Sequence, residues 1–279
     1  MKPAGALWGR FLRNRGAVCG AIVVGVFTFL GITASWIAPY NPLMQNLAQA
    51  LRAPSAQHLL GTDEIGRDIL SRVIAGSRIS LAIAFSSVAL ALVIGGALGL
   101  MAGYFGGWPD VLVSRTLDVW LALPGLLLAI VVIAILGVGI VNVVLSVALG
   151  SIPPYARLAR ASTLAVRTSG FVEAARSLGA RDLAVLWRHV VPNVLVFLVV
   201  QATLGVAAAL LTASGLSFLG LGAQPPTPEW GAMLSDGRPY LFSNPQLAVF
   251  PGMAIMLVAL AFNLFGDGLL DAMDPRKYH

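Results

Sequence analysis

Glu173, Ala174, Ala175, Leu178, Gly179 and Asp182 are the residues whose types and spacing point most directly to an activity. They lie in the stretch Phe171-Val172-Glu173-Ala174-Ala175-Arg176-Ser177-Leu178-Gly179-Ala180-Arg181-Asp182. Phe171, Ala174, Ala175 and Leu178 recur at i, i+3, i+4 and i+7, which puts them on one helical face. Gly179 can end that helix in a left-handed conformation. Asp182 can cap a second helix running toward Arg188, His189 and Pro192. The chemistry of such a hairpin is association rather than catalysis. A small apolar face flanked by arginines can seat in a groove of another protein. The same face can also rest on lipid headgroups, drawn by its arginines.

The rest of the chain offers little else that reacts. Histidine occurs only at 58, 189 and 279, too scattered for a metal set. No His-Glu-x-x-His and no Gly-x-Ser-x-Gly occurs, so metal-assisted hydrolysis and serine nucleophilic catalysis have no candidate. A nucleotide-cradling Gly-x-x-x-x-Gly-Lys-[Ser/Thr] needs a lysine, and Lys2 and Lys277 are followed by Pro3 and Tyr278. The chain is therefore expected not to be an enzyme and to hold no cofactor; any ATP and Mg would be bound by another subunit. Gln201 is the clearest polar side chain near the centre of an apolar run, with Asn142 and Asn263 nearer the ends. Gln201 and Asn263 are candidates for lining a path, or for ordinary interhelical hydrogen bonds. Cys19, the single thiol, permits no internal disulfide.

The elements that must position the hairpin are strongly apolar. Hydrophobic residues make up 58% of the 279 positions and charged residues only 11%, against about 25% charged in soluble domains. The mean hydropathy is +0.85. Too few charges remain to cover a soluble surface, which leaves an all-α, polytopic membrane protein. The net charge of +6 is then read by position, as a signal of helix orientation and not of nucleic-acid binding.

Apolar runs long enough for a bilayer core of about 30 Å predict six spans, near 17–38, 79–104, 119–136, 140–155, 194–213 and 247–265. The first is too long for a signal-peptide apolar region and reads as an uncleaved span after a short tail, 1–16. The second carries Gly95, Gly99 and Gly103, which either admit another helix closely or merely loosen this one. Pro153-Pro154 marks the end of the fourth. Residues 62–74, with Thr62 as cap and an Asp68–Arg72 pair, predict an amphipathic helix lying on the membrane surface. Loops 39–78 and 214–246 are expected outside, and 156–193, with its arginines, inside. On that topology 13 of 18 basic residues, Lys2, Arg276 and Lys277 among them, fall on the cytoplasmic side with both termini. Trp230, Tyr240 and Phe242 suit the outer interface. The chain reads as one membrane domain.

Glu173-Ala174-Ala175, Gly179 and Pro192 resemble the EAA loop of ABC-importer permeases, Glu-Ala-Ala-x3-Gly-x9-Ile-x-Leu-Pro, with His189 and Val191 as departures. Leu60-Gly-Thr-Asp-Glu-Ile-Gly-Arg-Asp68 with Ser71-Arg72, and Ser217-Phe-Leu-Gly-Leu-Gly-Ala-Gln-Pro-Pro-Thr-Pro-Glu-Trp-Gly231, are similar to signatures of the second, C-type subunit of dipeptide/oligopeptide/nickel permeases. The resemblance implies a subunit of the bacterial cytoplasmic (inner) membrane that pairs with a second homologous permease, two ATP-binding-cassette ATPases and an extracytoplasmic substrate-binding protein. It implies that Glu173, Ala174, Ala175 and Gly179 carry coupling. The glycine permits the turn, the alanines seat the helix closely, and Glu173 pairs with an ATPase arginine. Peptides are the expected substrate; nickel, a metal chelate or glutathione is the alternative, and a stand-alone channel or secondary carrier the alternative of another class.

Overall fold

The computed structural model describes residues 4–273; Lys2, the tail from Asp274 through Arg276 and Lys277, and His279 lie outside the described residues. The described residues are almost wholly helical. In chain order the helices are α1 (Ala4–Arg13), α2 (Arg15–Ile37), α3 (Ile69–Phe105), α4 (Gly107–Leu121), α5 (Gly125–Leu136) and α6 (Ile140–Arg167), then α7 (Gly170–Ser177), α8 (Asp182–Val185), α9 (Val191–Phe218), α10 (Trp230–Gly237) and α11 (Gln246–Met273). Five stretches are long and apolar enough to cross a membrane: α2, α3, α6, Asp182–Phe218 and α11. The pair α4 and α5 is long and apolar enough only when taken together and is bent by 88° at Ala122–Pro124, the form of a broken span or a re-entrant loop. Pro124 fixes the bend, because its ring cannot continue α4 and it precedes α5 as the capping residue.

The centre of the bundle is the contact between α3 and α6. It is glycine-dependent. A Cβ on Gly95 would stand 2.6 Å from the Ile152 carbonyl oxygen, and one on Gly99 2.1 Å from that of Ala156. Gly103 meets Arg160 and Thr163 in the same way, so the two helices run parallel with their backbones touching. This decides between the two meanings of the glycine stripe in favour of close packing. Around this pair, α9, α11 and α2 complete the bundle.

Several boundaries differ from expectation. Ile69–Ile74 is not a surface helix but the first turns of α3, which runs unbroken for 37 residues. Its cap is Asp68, whose side chain accepts from the Ser71 amide at 2.8 Å; Thr62 is not the cap. Asp68 instead pairs with His58, and Arg72 with Asp63. Most of the gap between the second and third expected spans is helical, as part of α4. Pro153 and Pro154 sit inside α6, which continues to Arg167. Close neighbours such as α3 can compensate for two missing amide donors in a membrane helix, so proline did not mark an end. Trp230 is wholly buried, its indole donating to the Val73 carbonyl at 2.9 Å, while Phe242 is fully exposed.

Candidate coupling hairpin and its supports

One end of the bundle is closed by 38–68 and 219–245, which interlock. Glu229, buried, caps α10 through the amides of Gly231 (3.0 Å) and Ala232 (2.9 Å) and accepts from Ser80 Oγ of α3 at 3.1 Å. Arg67 donates to Asp63 and Glu64 within the same cap. Burial, then the nearby Asp63 charge, pushes the Glu64 carboxyl above its ordinary range; burial does the same to Asp236. The hairpin 170–185 lies at the opposite end, beside the end of α3.

The hairpin forms as its sequence dictates. α7 closes with a paired C-terminal turn: the Gly179 amide donates to the Arg176 carbonyl (2.9 Å) and the Ala180 amide to that of Ala175 (3.1 Å). That geometry requires a left-handed residue, and Gly179 has φ +80°. Asp182 is not the cap of α8; Arg181 stands there, and Asp182 occupies the first turn. α8 passes through a π-helical turn, Leu186–Val190, into α9. Pro192 lacks the amide that an α-turn needs at this point, and the Val191 amide reaches back to Leu186 instead.

The hairpin has two chemical sides. Val172, Val185 and Val190 are wholly buried in the main core, which ties both arms to the bundle. The other side is open: Phe171 is 49% exposed, Leu178 88%, Leu183 64% and Trp187 66%. Glu173 and Ala174 are exposed and Ala175 is half-buried. Of the face predicted from periodicity, Phe171, Ala174 and Leu178 point outward, while Ala175 packs against the core beside the anchor Val172.

Three supports were not visible in the sequence. The Tyr104 hydroxyl, at the end of α3, donates to the Asp182 carbonyl (2.9 Å) and its carboxylate (3.0 Å). Arg167 Nη1 donates to the Tyr104 carbonyl at 2.8 Å, joining α6 to the same point. Arg176 lies over the Tyr104 ring, 5.6 Å from its centroid. A tyrosine at a span end gave no signal beyond an interfacial aromatic. Gln201 is half-buried on α9 and Asn263 exposed on α11; no hydrogen bond joins the two among the described residues.

The pattern of the binding-protein-dependent transport system inner membrane component family matches residues 95–278, a stretch that includes the hairpin and its Tyr104 support. The chain belongs to that family. The N-terminal transmembrane domain of oligopeptide transport permease C matches residues 3–54. Similar relatives include the glutathione transport system permease protein GsiD of Pectobacterium atrosepticum, 46% identical over 277 residues (98% of this chain, 91% of the relative). GsiD of Escherichia coli O6:K15:H31 is 48% identical over 275 residues (98% and 91%). The dipeptide transport system permease protein DppC of Alkalihalophilus pseudofirmus is 44% identical over 264 (95% and 87%). A chain of the MetNI methionine ABC transporter in inward-facing form shares the fold, with a TM-score of 0.59 at 19% identity over 73% of this chain and 97% of that one. The chain is thus a helical permease subunit of an ABC importer in the bacterial inner membrane.

Proposed function

We propose that the chain forms half of the translocation path of an importer of short peptides, glutathione included, and that hairpin 170–185 is its handle for an ATPase. The observation that carries the coupling role is the two-sided hairpin: an exposed apolar face set on an anchor that is buried in the bundle and bonded to the end of α3. A force applied at Leu178 or Trp187 reaches α3 through Asp182 and Tyr104, and α9 through the continuous turn at Leu186–Val190. In this reading Gly179 sets the turn, Ala174 and Ala175 allow close seating, and Glu173, in the first turn of α7, pairs with a cation of the ATPase.

The partners in this reading are a second homologous permease, two ATP-binding-cassette ATPases that bind ATP and Mg, and an extracytoplasmic binding protein that delivers substrate. The peptide reading rests on relatives named for glutathione and dipeptide transport. The hairpin end is cytoplasmic: it and the neighbouring helix ends hold Arg157, Arg160, Arg167, Arg176, Arg181 and Arg188. The interlocked cap with Glu229 then faces outward.

The test is a cysteine at Leu178 in the assembled importer, paired with cysteines on its ATPase subunits. The expected result is a nucleotide-dependent crosslink to the ATPase. Failure to trap it from Leu178 and Trp187 alike, or labelling of both positions from outside intact cells, refutes the role. Uptake competition with di- to hexapeptides, glutathione and nickel then tests the substrate class.

A further inference from the structure

We infer that Asp118 and Arg157 form a binding site for the two charged termini of a zwitterionic substrate at the inner mouth of the path; the inference rests on the peptide reading above. Two ion pairs join α4 to α6, and they differ in kind. Arg160 grips Asp110 with two donors, Nε to Oδ1 and Nη2 to Oδ2 (2.7 Å), and is only 34% exposed. Arg157 meets Asp118 through a single Nη2–Oδ1 bond of 2.7 Å, with side chains 55% and 54% exposed. The first is a fixed clamp between helices. The second uses one of two carboxylate oxygens and one of five guanidinium donors, and so exposed a pair adds little to stability.

A cavity of about 420 Å³ opens beside the second pair, lined by Ser114, Leu117, Asp118, Arg157 and Arg160. Ligand sites run from about 300 to 1,000 Å³. The cavity lies level with Gly99–Gly103 of α3, where α6 packs, and above the Tyr104–Asp182 contact. Charges at that depth avoid acyl chains and face water or protein; in this inference the pair, next to the elbow at Ala122–Pro124, faces the water of the path.

A zwitterion entering here exchanges partners without leaving a charge uncompensated. Its ammonium takes Asp118 and its carboxylate takes Arg157, and the original pair re-forms on release. Such an exchange is weak in both directions, which a path requires of every site along it. The Arg160–Asp110 clamp holds the walls at fixed spacing meanwhile.

The experiment uses the complete importer in proteoliposomes, with trialanine and glutathione as probes and uptake per ATP hydrolysed as the readout. Asp118→Asn and Arg157→Gln are each expected to lower that ratio about tenfold, the size of one lost charge-assisted contact, and the double variant to lower it further. A structural ion pair predicts the reverse pattern, in which the double variant recovers because neither charge is left alone. An unchanged ratio, or recovery in the double variant, overturns the site while leaving the peptide reading standing. Wild-type importer that moves neither probe refutes the peptide reading, and the site with it.

Discussion

Gly179 separates backbone geometry from packing more cleanly than any other position in the hairpin. A Cβ built there meets nothing within 4 Å, so a side chain at 179 faces no steric penalty. What it faces is φ +80°. Holding an L residue in the left-handed region costs about 1–2 kcal/mol, and a β-branched one more. At about 1.4 kcal/mol per decade, that lowers the population of the native turn roughly 5- to 30-fold relative to its alternatives. Two hydrogen bonds close the turn, those to Arg176 and Ala175, and both are lost when it opens. The anchor at Val172 and Val185 is untouched, so the spans should insert and assemble normally. The series Gly179→Asn, Gly179→Ala and Gly179→Val is therefore expected to rank by tolerance of positive φ. Asn should transport near the wild-type rate, Ala a few-fold below it and Val about tenfold below it. The assay is peptide uptake in a strain deleted for the subunit, with membrane abundance measured in parallel. Normal uptake by Gly179→Val at equal abundance would refute the reasoning. So would equal loss in all three, which points to contact at residue 179 instead of its φ.

Tyr104→Phe removes the hydroxyl that ties α3 to Asp182; it should cost about 0.5–1.5 kcal/mol and raise the ATP hydrolysed per peptide delivered, while Phe at an unimportant tyrosine would leave that ratio alone. Glu229→Ala strands the Ser80 hydroxyl and the Gly231 and Ala232 amides in a buried cap; thermal unfolding of the purified importer should show a loss of about 1–3 kcal/mol, with Glu229→Gln milder because an acceptor oxygen remains. Glu64 and Asp236 are raised above their ordinary range, chiefly by burial. A carboxyl that binds its proton more tightly when folded adds stability below its unfolded value and loses it as pH rises through the folded one. The cap built on Glu229 should therefore resist unfolding better as pH falls from 7 toward the carboxylate range, and Asp236→Asn should flatten that dependence; an Asp236→Asn importer with an unchanged pH profile would count against it.

Composition and periodicity alone established the class. At 11% charged residues only lipid can cover the surface, and the runs of apolar residues locate most of the spanning helices. The hairpin was legible too, because helical spacing, a left-handed glycine and a proline are local properties written in consecutive residues. Local rules failed where distant neighbours set the outcome. Pro153-Pro154 reads as a break, yet α6 continues through it, packed against α3 at Gly95 and Gly99. Ile69–Ile74 reads as amphipathic because its polar positions are facing an interior: Arg72 meets Asp63, and Ser71 meets Asp68, inside the cap. Trp230 reads as interfacial, but Val73 supplies a carbonyl for its indole from 157 positions away. The side of the hairpin that faces out, and the tyrosine that ties it to α3, likewise depend on which residues the fold brings beside it. Sequence fixes what a segment can do with its own neighbours; burial and pairing across the chain are long-range, and only the assembled helices decide them.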